Sequence, residues 1–121
     1  MEFAPRPLIW LVDTLRVLKQ FPPDVRTKLG FGLFRAQVGE KQETAKRLVG
    51  FGAPVWELKA DGVGGTYRAV YVVHLNNAVY VLHVFQKKAK SGIETPQREI
   101  QLIRQRLKLA MQIDGEVSSS G

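Results

Sequence analysis

The sequence predicts an α+β fold: a small antiparallel β-sheet of three to four strands with helices packed on one face. Three observations lead there. Two β-branched, aromatic-rich runs, from Thr66 to His74 and from Ala78 to Lys87, meet at Asn76-Asn77. Asn tolerates positive φ, so the Asn pair suits a tight two-residue turn. A shorter alternating run, Val55–Lys59, precedes them, and apolar residues at helical spacing lie before and after this block. Consecutive strands favour antiparallel pairing with the helices set apart from the sheet.

The elements follow in chain order. Leu8–Val12 is either a short buried strand or the lead into a helix. Asp13 is the expected N-cap of a helix over 14–20, in which Leu15 and Leu18 share a face. Phe21-Pro22-Pro23 ends it, and Pro23 or Asp24 opens a second helix with Val25, Leu29, Leu33 and Ala36 in register. Gly39 closes that helix. Gly30 and Gly32 weaken it by about 1 kcal/mol each relative to Ala, unless close packing requires them. Residues 40–52 read as a polar loop. In Val55–Lys59, Trp56 and Leu58 take one face and Glu57 and Lys59 the other. Residues 61–65 form a Gly-rich loop that is no nucleotide-binding fingerprint, since a strand follows it rather than a helix. Thr95-Pro96 starts the last helix, with Ile100, Ile103, Leu107 and Ala110 toward the core. The expected domain spans residues 1–113, followed by a flexible C-terminal tail over 114–121.

Composition narrows the function classes. The 121-residue chain fits one domain with one core. It has no cysteine, so disulfides, thiol chemistry and Cys-based metal sites are excluded; with two histidines, neither metal nor cofactor is expected. No apolar run reaches bilayer length and the start lacks the order of a signal peptide, so the expected location is the cytoplasm, without a membrane partner. Net charge is +7, which favours polyanions or acidic proteins as partners. Between Gln86 and Lys108 seven cations face only Glu94 and Glu99. The structural alternative there is a solvated basic face.

The Asn turn fixes a register: Leu75 opposite Ala78, His74 opposite Val79, Val70 opposite His83, Arg68 opposite Phe85. Arg68, His83 and Lys87 then emerge on one face, a guanidinium, an imidazole and an ammonium suited to a phosphate-bearing ligand. A one-residue slip would undo this. For Arg68 the structural alternative is an ion pair with an acid such as Glu57. Lys87, Lys88 and Lys90 follow the last strand, where functional side chains often gather, or else guard the sheet edge. Lys59 joins them from the neighbouring strand. His83 exchanges protons near neutral pH if exposed, although a His among apolar strand residues is more often a satisfied core group. The strand tyrosines are more often core or rim than stacking platforms; Tyr67, beside Arg68, is the one counted with the RNA-contacting set.

At these residues the chain resembles a known family. Val55-Trp-Glu-Leu-Lys, Thr66-Tyr-Arg-Ala-Val-Tyr, Val79-Tyr-Val-Leu-His-Val-Phe-Gln-Lys-Lys and Thr95-Pro-Gln-Arg-Glu-Ile together resemble the phage-derived HigB-like branch of the RelE toxin superfamily. Leu8-Ile-Trp and Phe21-Pro22 also fit, and the likeness runs from Pro7 to Met111. It implies a RelE-like fold and the toxin of a type II toxin–antitoxin pair. The implied activity is metal-independent, ribosome-dependent cleavage of messenger RNA, an endoribonuclease of the mRNA interferase type. The implied partners are a helix-turn-helix antitoxin, mRNA and the ribosome, with operator DNA reached only through the antitoxin complex. By this resemblance Arg68 stabilises the scissile phosphate, Lys87 is the basic residue ending the last strand, and Lys59 matches the basic residues before the central hairpin. Lys88 and Lys90 extend the RNA-binding set. The chain lacks the His-Asp-Tyr-His C-terminal cluster of some HigB proteins, which leaves His83 or a lysine of lowered pKa as candidate base. The competing reading is a non-enzymatic basic module of phage origin that binds nucleic acid or the antitoxin.

Overall fold

A computed structural model describes residues 5–40, 45–73, 78–87 and 96–120, with side chains as far as residue 116. The elements are β1 (Leu8–Trp10), α1 (Thr14–Lys19), α2 (Pro23–Gln37), β2 (Lys46–Leu48), β3 (Val55–Gly62), β4 (Gly65–Val72), β5 (Val79–Lys87) and α3 (Gln97–Ser120). The sheet order is β1-β5-β4-β3-β2; β1 runs parallel to β5, and every other neighbour is antiparallel.

The α+β class holds, with two corrections. The sheet has five strands, not three to four. The two additions are three-residue edge strands that carry little periodic signal. β1 covers the outer edge of β5, pairing Leu8 with Val79 and Trp10 with Val81. β2 lies inside the stretch read as a loop, because an exposed Lys-Arg pair on a sheet edge looks like a loop in sequence. The second correction is that helices cover both faces. Leu18, Val25, Leu29, Leu33 and Ala36 of α1 and α2 pack with Leu58, Tyr67, Ala69, Tyr71 and Val81. Ile103, Leu107 and Ala110 of α3 pack with Val55, Val70, Val72, Tyr80 and Leu82 on the opposite face. β4 from Tyr67 to Val72 and β5 from Val79 to Phe85 are buried without a break. Strands apolar on both faces need a layer on each side.

Helix packing follows local chemistry. Gly39 takes φ +82° just beyond α2, the left-handed position that glycine favours at a helix end. Gly32 lets α2 settle onto β3: a Cβ there would stand 2.7 Å from Leu58 Cδ1. Asp13 precedes α1 but makes no side-chain cap. α3 outruns its expected end, continuing through Gly115 to Ser120, and Asp114 is buried where its Oδ1 accepts a hydrogen bond from the Tyr80 hydroxyl at 2.9 Å. Among the described residues, no helix is long and apolar enough to cross a membrane.

The β4–β5 register matches the expected one over the functional stretch: Val70 opposite His83 and Arg68 opposite Phe85. Beyond Val70 a bulge shifts it, so Tyr71 faces Val81 and Val72 faces Tyr80, leaving Leu82 as the extra residue. Leu82 and His83, adjacent in sequence, then both turn toward α3. His74, Leu75 and the Asn76-Asn77 turn lie outside the described residues.

Candidate functional site

Three strands lay out the site in rows on the α3 side of the sheet. Nearest the β3–β4 turn stand Asp61, Thr66 and Lys87; next come Lys59, Arg68 and Phe85; then Glu57, Val70 and His83. Lys59 is directly opposite Arg68, and Lys87 is one diagonal step from it, a spacing within reach of long side chains. Lys59 is exposed and Lys87 half-buried. Thr66 Oγ1 donates to Asp61 Oδ1 at 3.1 Å, holding the end of the hairpin.

Arg68 occupies the centre of this patch and is only 6% exposed. Its Nη1 donates to Glu57 Oε1 at 2.5 Å, and the Glu57 side chain is buried as well. The ion pair named above as the structural alternative is therefore present. It neutralises much of the guanidinium's charge toward a ligand. Arg68 Nε is buried and has no hydrogen-bond partner among the described residues. A buried donor without a partner is unfavourable, so this nitrogen gains from any acceptor that reaches it.

His83 shares the face with Arg68 and Lys87, as the register predicts, but it is built into the protein. It is 7% exposed, and its ring stacks on Phe85 with centroids 5.0 Å apart. Its Nε2 lies 2.6 Å from Glu99 Oε1 and its Nδ1 lies 2.9 Å from Arg106 Nη1. Guanidinium only donates, so Nδ1 accepts, and the proton of the neutral ring sits on Nε2 and is given to Glu99. Burial lowers the His83 pKa; the hydrogen bond and charge of Glu99 oppose this, while the charge of Arg106 adds to it. Arg106 also donates to the Leu82 carbonyl at 3.2 Å and pairs with Asp13 at 3.3 Å, linking α3 to the β1–α1 connection. With both nitrogens engaged, His83 has no free lone pair to act as a base.

The other expected residues divide. Tyr67, counted with the RNA-contacting set, is buried on the opposite face, because side chains alternate and Arg68 takes the near side. Its ring packs 4.6 Å from that of Phe21, and its hydroxyl donates to the Val63 carbonyl. Lys88 and Lys90 lie outside the described residues. Of the α3 cations, Arg106 is internal, and Arg104 sits 4.8 Å over the Phe51 ring while donating to the Gly50 carbonyl. Sequence reasoning missed Glu99, Arg106 and Asp13. A signal existed: Glu99 and Arg106 are seven apart, on the same side of α3 as Ile103. A cleft of about 260 Å³ between the end of α2 and the sheet, lined by Arg6, Glu40, Trp56 and Tyr71, opens on the face away from Arg68.

The family model described as phage-derived protein Gp49-like matches residues 16–108. That span takes in β3, β4 and β5 whole and α3 as far as Lys108. No curated protein matches the chain.

Proposed function

Because the chain belongs to the phage-derived Gp49-like family, which is related to the RelE and HigB toxins, we propose that it is a toxin–antitoxin toxin that cleaves messenger RNA on the ribosome. The observation that carries this reading is the convergence of Lys59, Arg68 and Lys87 on one end of a rigid sheet face. In the proposed reaction the ribose 2′-oxygen attacks the adjacent phosphorus and the bond to the 5′-oxygen breaks. The 2′-hydroxyl proton leaves to solvent, and the departing 5′-oxygen is protonated by water. Lys59, Lys87 and the Arg68 guanidinium stabilise charge developing on the phosphoryl oxygens, a fixed electrostatic role. Glu57 holds the guanidinium in place, and His83 anchors α3 rather than moving a proton. The proposed partners are a helix-turn-helix antitoxin, mRNA and the ribosome, with DNA met through the antitoxin complex.

One observation favours the second reading, a basic module that binds without cutting: Arg68 is already paired to a buried carboxylate. Inducing the protein in a bacterial host, with 5′ ends mapped on messenger RNA, separates the two. Nuclease action predicts growth arrest with new ends in translated regions, lost in Lys87→Ala. Intact messenger RNA from folded protein would overturn the nuclease reading. Salt-dependent RNA binding without cleavage would then support the module.

A further inference from the structure

We propose that the outer face of α2 is a docking surface for an acidic amphipathic helix of a partner protein. This surface lies on the opposite side of the sheet from Arg68, and the proposal stands whether or not the chain cleaves RNA. At 3.6 residues per turn, the buried residues of α2 (Val25, Leu29, Gly32, Leu33 and Ala36) form one stripe. Thr27, Gly30, Phe31, Phe34 and Val38 fall on the opposite side of the same helix. Phe31 is 53% exposed and Phe34 48%. Two large aromatics one turn apart thus leave about half of their surface open on a solvent-facing stripe. Aromatic side chains of this kind are the usual anchors of protein interfaces.

Gly30 adds a second feature. It has nothing within 4 Å of where a Cβ would stand, so it leaves open backbone one turn before Phe34. An approaching helix can seat a side chain there, against Phe34.

Charge selects the occupant. Arg26 flanks the stripe on one side, Lys28 and Arg35 on the other; among the described residues the acids nearby are Asp24 in the first turn and Glu40 beyond the last. Arg35 pairs with Glu40 at 2.7 Å, with its guanidinium 5.6 Å from the Phe31 ring centre, while Arg26 and Lys28 make no ion pair among the described residues. A second copy of this chain would set these cations against their like, so self-association is disfavoured. A partner helix with apolar residues at i, i+3, i+4 and i+7 and glutamates along both flanks satisfies stripe and rim together.

The test uses the full chain and labelled helical peptides. One carries Leu and Ile at those spacings with Glu flanks; a second has the same apolar residues with Lys flanks. Fluorescence anisotropy should show saturable binding of the acidic peptide and at least about tenfold weaker binding of the basic one. Phe31→Ser with Phe34→Ser should weaken the acidic peptide about thirtyfold while circular dichroism and melting temperature hold, the scale of losing one interface hot spot. Gly30→Gln fills that open space from a helical backbone. It should also block binding, with a melting temperature that is unchanged or higher. No saturable binding of the acidic peptide, equal affinity for the basic one, or equal binding by the double-serine variant would each overturn the proposal. So would displacement of the peptide by single-stranded RNA, or a dimer that the double-serine variant dissolves. None of these readouts depends on messenger RNA cleavage.

Discussion

Arg68 and Glu57 make the sharpest prediction, because the same pair bears on stability and on activity. Their contact is 2.5 Å, and both side chains are more than nine-tenths buried. Replacing Arg68 by Met breaks this buried pair from one side, a change that costs about 3–5 kcal/mol. Set against about 5–15 kcal/mol for a whole domain, that is a large loss, equivalent to a fall of roughly 10–25 °C in melting temperature. Replacing both partners, Glu57→Leu with Arg68→Met, removes both buried charges and fills the volume with apolar atoms. Such swaps are often neutral or stabilising. The double variant is therefore expected to be more stable than Arg68→Met alone by at least about 2 kcal/mol in urea unfolding. It should also fail to cleave messenger RNA when induced. A single variant that loses less than about 1 kcal/mol, or a double variant no more stable than the single, would refute the buried-pair argument. A stable double variant with full cleavage would refute the phosphate role of Arg68 while leaving the stability argument intact.

Three further predictions follow from contacts elsewhere. His83 holds its proton less readily in the folded chain than its ordinary value of 6.5, so the unfolded chain binds more protons below that pH. Stability present above about pH 6.5 is lost as pH falls, by at most about 1.4 kcal/mol per pH unit from this group; urea unfolding of His83→Gln, which keeps a donor and an acceptor, should show a flatter acid limb, and an unchanged limb would contradict it. Gly30→Ala should stabilise α2 by about 1 kcal/mol, whereas Gly32→Ala drives a Cβ against Leu58 and should lose that gain through overpacking of about 1–3 kcal/mol; equal melting temperatures would remove the packing role of Gly32. Tyr80→Phe deletes the hydrogen bond to buried Asp114, and a chain ended after Ile113 deletes its partner; each should lose about 1.5–3 kcal/mol, read by thermal unfolding.

The sequence made the paired central strands legible through their β-branched, aromatic-rich runs. The expected register holds over Arg68, His83 and Lys87 and is off by one at Tyr71 and Val72, on the turn side of the bulge; α2 was legible because its buried residues keep helical spacing from Val25 to Ala36. Three features were harder to read, for separate reasons. β1 and β2 are held by backbone pairing to strands far along the chain, and three residues cannot display a period. The second helical layer was implied by the unbroken apolar run of β5, a signal that the expectation of helices on one face did not use. Glu57 was named as a partner for Arg68 because cross-strand neighbours are local. Glu99 and Arg106 as partners for His83 depend on where α3 lands, and no local rule sets that.

The bulge after Val70 ties these observations together. Without it, strict alternation would send one of Leu82 and His83 to the α2 side, where Val81 and Val84 already pack. With it, Leu82 enters the apolar contact with α3 and His83 meets Glu99 and Arg106. Those two polar contacts bracket Ile103 and fix α3 both along and around its axis. Val55, Val72 and Tyr80 lie at one end of the face and pack with α3; Asp61, Thr66 and Lys87 lie at the other, and Lys59 is open to solvent. His83 thus shapes the candidate site by seating the helix beside it. The same logic separates its variants from those of Lys87: His83→Ala should shift the melting temperature and the backbone amide signals of α3 together, whereas Lys87→Ala should change cleavage with the signals of α3 in place. Equal displacement of α3 in both would undo the distinction.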